Sequence, residues 1–310
     1  MAGITFKNID FMALRKPAMI LSSVLLIASI VSLATLKLNV GIDFTGGSII
    51  EVGYQSAVEL EPIRNALESQ GFGDAIVQHF GSASEVLIRL VPDVEKDKAE
   101  LSSEIIGLLQ ASSDTPIDVR RVDFVGPQVG EELTEDGGLA VLYALIAILI
   151  YVAFRFEYRF SLGAVAALVH DVLITLGIFS VLQLDFDLSV LAALLAVIGY
   201  SLNDTIVVFD RVRENFRKIR KKTSLEVINI SVNQTISRTL MTSLTTLLVL
   251  LSLFFLGGEV IHAFAFALII GVVVGTYSSI YVATTSALVL GISRTDMLLP
   301  EKEGEEMARP

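Results

Sequence analysis

The sequence predicts a polytopic α-helical membrane protein with six transmembrane helices, arranged 1+5, and an external ferredoxin-like α+β domain between helices 1 and 2. Three observations carry this expectation. Of the 310 residues 53% are hydrophobic, and the mean hydropathy is +0.68. Several apolar runs reach about 20 residues, the length that crosses about 30 Å of hydrocarbon at 1.5 Å per residue. The net charge of −11 is concentrated: 7 Lys+Arg against 19 Asp+Glu between Lys37 and Asp136 give that stretch −12, and the rest nearly balances. Such a composition excludes a soluble enzyme, and an acidic external surface argues against nucleic acid as a partner. With no cysteine there is no disulfide, thiol catalysis or cysteine metal site.

Residues 1–16 read as a cytoplasmic N-terminus. MAGITFKNIDFMALRKP is short and amphipathic and sets Lys7, Arg15 and Lys16 ahead of the first span, residues 17–36. That run is longer than the h-region of a signal peptide, about 7–15 residues, and no small-x-small site follows it, so a retained helix is expected. Residues 37–137 read as an extracytoplasmic, periplasmic domain. GSIIEVGY at Gly47–Tyr54 alternates like a strand, and Ala57–Gln70 carries helical spacing through Val58, Leu60, Ile63 and Leu67 with Gly71 as a stop. Ala75–Phe80 and Glu85–Val91 read as a strand pair, Asp93–Gln110 as a second helix and Ile117–Val125 as a closing strand. The order βαββαβ is that of a ferredoxin-like sandwich, a fold whose many uses carry no function by themselves.

Residues 138–292 hold five more spans, about Leu139–Phe154, Leu162–Leu182, Leu188–Phe209, Ile236–Leu256 and Ala263–Leu290, and residues 293–310 form a cytoplasmic tail. Arg155 and Arg159 fall in one short loop. Arg211, Arg213, Arg217, Lys218, Arg220, Lys221 and Lys222 fall in another, while Asp185, Asp187 and Glu259 mark the opposite side. The positive-inside rule then puts both termini in the cytoplasm and the acidic domain outside.

The chemistry is expected where charges interrupt apolar runs. Asp204 lies inside the fourth span, where a carboxylate costs about 2.5–3.5 kcal/mol on insertion scales unless paired, protonated or hydrated, so it marks an ion or proton path. The bland alternative is a neutral Asp hydrogen-bonded to Ser201 or Asn203. Arg238 lies about as deep in the fifth span as Asp204 lies in the fourth, so adjacent antiparallel helices would let the two pair. Thr242 and Thr246 continue a polar stripe from Arg238, and such a stripe must face protein or water. His170 and Asp171 sit near the centre of the third span. Consecutive residues face about 100° apart on a helix, so they are not expected to act as one pair; His170 reads as a structural hydrogen-bonding residue and Asp171 as a candidate for proton coupling. Gly271 and Gly275 form a GxxxG that predicts close helix packing.

Five stretches carry a resemblance: Gly41-Ile42-Asp43-Phe44-Thr45-Gly46-Gly47, Val125-Gly126-Pro127-Gln128-Val129-Gly130, Tyr151-Val152-Ala153-Phe154-Arg155-Phe156, Asn203-Asp204 through Asn215, and Gln234-Thr235-Ile236-Ser237-Arg238-Thr239. In type and order they resemble the SecF family, membrane subunits of the bacterial accessory translocase SecDF, related to the RND transporters. The resemblance implies a protein of the bacterial inner membrane that works with SecD beside the SecYEG channel, with YajC and YidC as further partners. It implies use of the proton-motive force to move a preprotein after the SecA-driven stage, with no cofactor other than the coupling proton and no enzymatic activity. Carried over residue by residue, Asp204 and Arg238 match the family's intramembrane charges, with weaker support for Asp171. Gly41, Asp43, Phe44, Gly46 and Gly47 read as a hinge or a plain tight turn between the first helix and the external domain. An RND-like small-molecule exporter and a passive scaffold are the competing classes. The single small external domain, with no large pocket in its pattern, speaks against the exporter.

Overall fold

The computed structural model describes residues 9–90, 98–113 and 116–293. Lys7 and the rest of the first eight residues, the expected helix start at Asp93 and the tail beyond Ser293 lie outside the described residues. A 3-10 turn, Phe11–Leu14, is capped by the Asp10 carboxylate, which accepts from the Ala13 amide at 3.1 Å. It leads into α1 (Arg15–Thr35). Then follow β1 (Asn39–Val40), α2 (Ile42–Thr45), β2 (Gly47–Gly53), α3 (Leu60–Ser69), β3 (Ile76–Phe80), β4 (Ser82–Leu90), α4 (Lys98–Ala111) and β5 (Asp118–Val125). The C-terminal part comprises α5 (Pro127–Arg155), α6 (Tyr158–Leu182), β6 (Asp185–Phe186), α7 (Leu188–Lys218), α8 (Ser224–Leu256), α9 (Glu259–Ser278), a π-helical turn Ser279–Ala283 and α10 (Thr284–Val289).

In the external domain the strands run β3-β4-β2-β5, every pair antiparallel. Period-two alternation sorts the side chains between faces. Ile50, Val52, Val86 and Ile88 turn to Ile63 and Leu67 of α3 and Ile105 and Leu109 of α4, forming a closed core. The alternate residues, Ile49, Glu51, Leu87, Arg89, Arg121 and Asp123, line the other face, which roofs a cavity of about 800 Å³ over the ends of the membrane helices. This cavity arises between the domain and the helix ends, which is why the domain's own sequence pattern gave no sign of it.

Six helices are long and apolar enough to cross a membrane. They are longer than the apolar runs because helix and hydrocarbon need not end together. α5 begins at Pro127, twelve residues before the expected start, with proline at a first-turn position where its missing N–H costs nothing. α7 continues as far as Lys218 into the basic stretch read as a loop, and α8 begins at Ser224, before its expected start, so that only residues 219–223 separate them. A capping box between Thr223 and Glu226 starts α8. α6 and α7 are the most buried spans and α5 the least. The Gly271/Gly275 expectation holds: a Cβ at Gly271 would meet the Val197 side chain at 2.1 Å, and one at Gly275 would meet Ser201 Cβ at 3.0 Å, so α9 lies directly on α7. A two-stranded parallel ribbon of β1 and β6 escaped the sequence reading, since two-residue strands have no periodicity to detect.

Candidate functional site

Asp171 lies at the centre of α6 and is 1% exposed. Contrary to the expectation from helical geometry, His170 and Asp171 do meet: His170 Nδ1 is 2.9 Å from Asp171 Oδ1. The backbone directions diverge by about 100°, but each side chain bends toward the other because both are held from outside. Ser201 of α7 and Ser278 of α9 donate to Asp171 Oδ2 at 2.5 and 2.7 Å. His170 Nε2 reaches Ser22 Oγ of α1 at 3.1 Å, Ser22 Oγ lies 3.0 Å from the Tyr277 hydroxyl, and Tyr277 donates to the Ala18 carbonyl at 2.6 Å. One hydrogen-bonded chain therefore crosses four helices in the buried centre. Ser22, Tyr277 and Ser278 were not singled out from the sequence, because small hydroxyls in apolar helices are common and only their convergence distinguishes them.

Asp204 is also buried, at 3% exposure, one turn along α7 from Ser201. Ser201 serves Asp171, so the hydrogen bond envisaged between Ser201 and Asp204 is absent, and Asp204 Oδ2 has no hydrogen-bond partner. The neighbouring hydroxyls Thr205 Oγ1 and Thr239 Oγ1 are likewise buried and unpaired. Arg238 is near enough to act on Asp204 electrostatically, but no direct ion pair joins them among the described residues, and the Arg238 side chain lies on the exposed face of α8. Asn203 and Gln234 are exposed on the same two helices. The chain thus holds a buried carboxyl and an outward-facing guanidinium where direct pairing was expected. At the end of the two helices toward the basic turn, Asn215 Nδ2 donates to Ser231 Oγ and Gln234 Oε1, both at 2.9 Å, and fixes their register.

The glycine-rich stretch after α1 is a docking element. Asp43 Oδ2 accepts from the Leu188 amide at 3.0 Å, closing the start of α7. Phe44 stacks on Phe186 with centroids 5.8 Å apart, and its carbonyl accepts from Thr134 at 3.2 Å. A Cβ on Gly130 would stand 2.7 Å from Gly46 N, so the Gly126–Gly130 stretch and the Gly41–Gly47 stretch are two sides of one contact. Gly41 donates to the Phe186 carbonyl at 2.9 Å. From the external domain Arg89 reaches down to the same ribbon, donating to Asn39 Oδ1, to the Val40 carbonyl and, at 3.0 Å, to Asp185 Oδ1. Arg155, in the third motif, pairs with Asp210 at 2.9 Å. Among the described residues no cluster of His, Cys, Asp and Glu suited to a metal ion occurs.

Six helices long and apolar enough to span a membrane, gathered around a buried, hydrogen-bonded centre and with a sheet domain lodged after the first, define a polytopic membrane protein. The family model described as protein export membrane protein SecD/SecF, C-terminal, matches residues 106–293, and the SecD/SecF GG motif matches residues 31–58. A protein translocase subunit SecF of Vibrio alginolyticus is 55% identical over 302 residues, covering 97% of this chain and 96% of its own length. That of Pseudomonas aeruginosa is 46% identical over 309 residues, covering 99% and 100%. A crystal structure of SecDF, a translocon-associated membrane protein from Thermus thermophilus, superposes with a TM-score of 0.84 at 39% identity; 93% of this chain aligns, and it spans 39% of that longer chain. A second structure, SecDF in a super-membrane-facing form, gives 0.68 at the same identity over 92% of this chain and 39% of that one. The chain belongs to the SecF family of protein translocase subunits.

Proposed function

We propose that this chain is the SecF half of a proton-coupled accessory translocase of the bacterial inner membrane, pairing with SecD beside SecYEG to draw preproteins outward after the SecA-driven stage. Asp204 carries the proton and Arg238 senses its charge. The carrying observation is the buried, half-unpaired carboxyl of Asp204 on α7 beside an arginine exposed on the membrane-spanning face of α8. An orphaned carboxyl oxygen in an apolar core is costly as an anion and is relieved by taking up a proton. A guanidinium on the outer face of a membrane helix is equally costly against lipid and calls for a partner protein that brings an acid to it. SecD supplies that surface, consistent with the SecDF fold in which a chain like this one is the smaller part. YajC, YidC and the preprotein itself are further partners on this reading.

Protonating Asp204 releases the electrostatic hold on Arg238, shifts α7 against α8, and moves the external domain through the Asp43 and Arg89 contacts, a local charge change biasing a two-state element. That two SecDF structures of equal identity to this chain superpose on it so unequally supports a family able to occupy more than one arrangement. At 100 mV each proton crossing the membrane supplies about 2.3 kcal/mol, so several are needed per substrate.

The test is translocation of a stalled preprotein into vesicles holding the chain with SecD and SecYEG, with and without an imposed proton gradient. Asp204→Asn keeps size and most hydrogen bonding but cannot carry the proton. It should assemble, retain SecA-driven transport and lose the gradient-dependent part; Arg238→Met should do the same. Full gradient stimulation in well-assembled Asp204→Asn would remove this residue from the mechanism. Proton flux in the reconstituted complex separates the reading from a passive scaffold, which would carry none.

A further inference from the structure

The hydrogen-bonded chain through α1, α6, α7 and α9 fixes where its protons lie. Tyr277 has one hydroxyl hydrogen, and it goes to the Ala18 carbonyl, which only accepts. The 3.0 Å contact between Ser22 and Tyr277 is then made by the Ser22 hydrogen, and Ser22 Oγ is left to accept at 3.1 Å from His170 Nε2–H. With Nε2 protonated, a neutral imidazole presents a bare lone pair at Nδ1. Facing it at 2.9 Å is Asp171 Oδ1, which as a carboxylate also presents only lone pairs. Two acceptors do not approach to that distance without a hydrogen between them. Asp171 Oδ2 is meanwhile filled by the hydroxyls of Ser201 and Ser278.

We propose that His170 and Asp171 together form a proton-binding site, distinct from Asp204, that holds one shared proton between Nδ1 and Oδ1 and whose occupancy locks α1, α7 and α9 onto α6. The proposal rests on the proton-coupling reading above and adds to it a second site and the side chains that position it, Ser22, Tyr277, Ser201 and Ser278. Loaded, the pair is neutral overall, which suits a site 1–2% exposed. When the proton leaves to water, the N–H or O–H bond that held it breaks, hydronium forms, and a net negative charge remains with two lone pairs opposed. The contact then opens, and with it the link from α6 to α1. The other ionisable groups near the pair are few. α9 brings Tyr277, whose ring lies tilted with its centroid 5.3 Å from that of Tyr281 in the π-helical turn, and α7 brings Asp204 one turn beyond Ser201. α1 brings the Ser22 hydroxyl, and among the described residues no ionisable side chain of α5 or α10 is hydrogen-bonded to either residue. The π-turn begins one residue after Ser278, so a partner of Asp171 sits where the helix is already irregular and most readily changes register.

The sequence has three histidines, His79, His170 and His262, so nitrogen-15 NMR of the full chain assembled with SecD in lipid vesicles resolves His170 by elimination with His79→Gln and His262→Gln. The expected spectrum has Nε2 protonated and a strongly hydrogen-bonded proton at Nδ1···Oδ1. Ser22→Ala, which removes the acceptor of Nε2–H, should shift the proton distribution on the ring and reduce gradient-driven translocation, and Ser22→Thr should restore both. Asp171→Asn should abolish the bridging proton and the gradient-driven component while sparing SecA-driven transport. Asp204→Asn should leave the His170 spectrum unchanged, so loss of the Asp204 role and loss of this site are told apart. A His170 Nδ1 and an Asp171 Oδ1 that hold no proton between them at any pH at which the complex stays assembled would overturn the proposal, as would undiminished gradient-driven translocation in an assembled Asp171→Asn complex.

Discussion

Gly46 and Gly47 turn the chain from α2 into β2 through backbone shapes that other residues avoid. Gly46 has φ +70° and ψ 173°, a region used essentially by glycine alone, and Gly47 has φ +124°. A Cβ at Gly47 would stand 2.4 Å from the Leu90 carbonyl oxygen, so the strand pairing of β2 with β4 leaves no room for one. Strain of this kind costs about 1–3 kcal/mol per residue, and the collision adds to it. Gly47→Ala is therefore expected to destabilise the external domain by a few kcal/mol, read as faster hydrogen exchange at the β2 amides of the full-length protein, with Gly46→Ala somewhat milder. Unchanged protection in Gly47→Ala would mean that the turn relaxes and that the glycine is dispensable there. The other residues of the motif do different work: Asp43 closes α7, and Phe44 fills the gap between Phe186 and α5.

Elements were legible where periodicity is long and uniform. The six apolar runs and the βαββαβ succession stand out because burial on one or both faces imposes a repeat on the sequence. Helix ends were legible only where polarity and helix end together. α7 runs on past Phe209 through Arg211, Arg213 and Arg217 because arginine and lysine are good helix formers, and a charge ends the membrane without ending the helix. The open face of the β-sheet was not legible at all, since its mixed residues, Glu51, Arg89, Arg121 and Asp123, look like solvent-facing positions until the helix ends close beneath them. The consequence for Glu51 is measurable. Burial pushes its carboxyl above the ordinary glutamate value; Glu85 and Asp123 add to the effect, and Arg121 and Arg120 oppose it. A folded-state value raised for an acid means that the folded form binds more protons than the unfolded one in the window just above the ordinary glutamate value. Stability contributed by this residue thus grows as pH falls through that window, and its cost is fully present above it. Glu51→Gln is expected to stabilise the domain at neutral pH and to flatten this part of the pH dependence. An unaltered pH profile in thermal unfolding would show that Glu51 is solvated as freely in the folded state as in the unfolded one.

At the scale of the whole molecule, charge sorts the two ends of the bundle. One end carries the Arg155–Asp210 pair and the basic stretch from Arg217 to Lys222. Ile9 and Met12, ahead of α1, are tied there too, where Asn233 accepts from the Ile9 amide at 2.9 Å and Asn229 accepts from the Met12 amide at 3.2 Å. The other end carries Asp185, Asp187, Glu259 and the acidic sheet domain, pinned by Arg89 to the β1–β6 ribbon and resting its β3–β4 turn on α9, where Gly81 lies against Glu259. Basic ends stay in the cytoplasm because translocating Lys and Arg against the membrane potential is unfavourable, so the acidic domain is expected outside and both termini inside. The sequence has no cysteine, which lets single reporters be placed without background. Ser82→Cys, exposed at the start of β4, should react with a membrane-impermeant thiol reagent in intact cells. Lys221→Cys, exposed between α7 and α8, should react only after permeabilisation. The inverted labelling pattern would place the sheet domain in the cytoplasm, where it could not receive a substrate emerging on the far side, and would overturn the export reading together with the orientation.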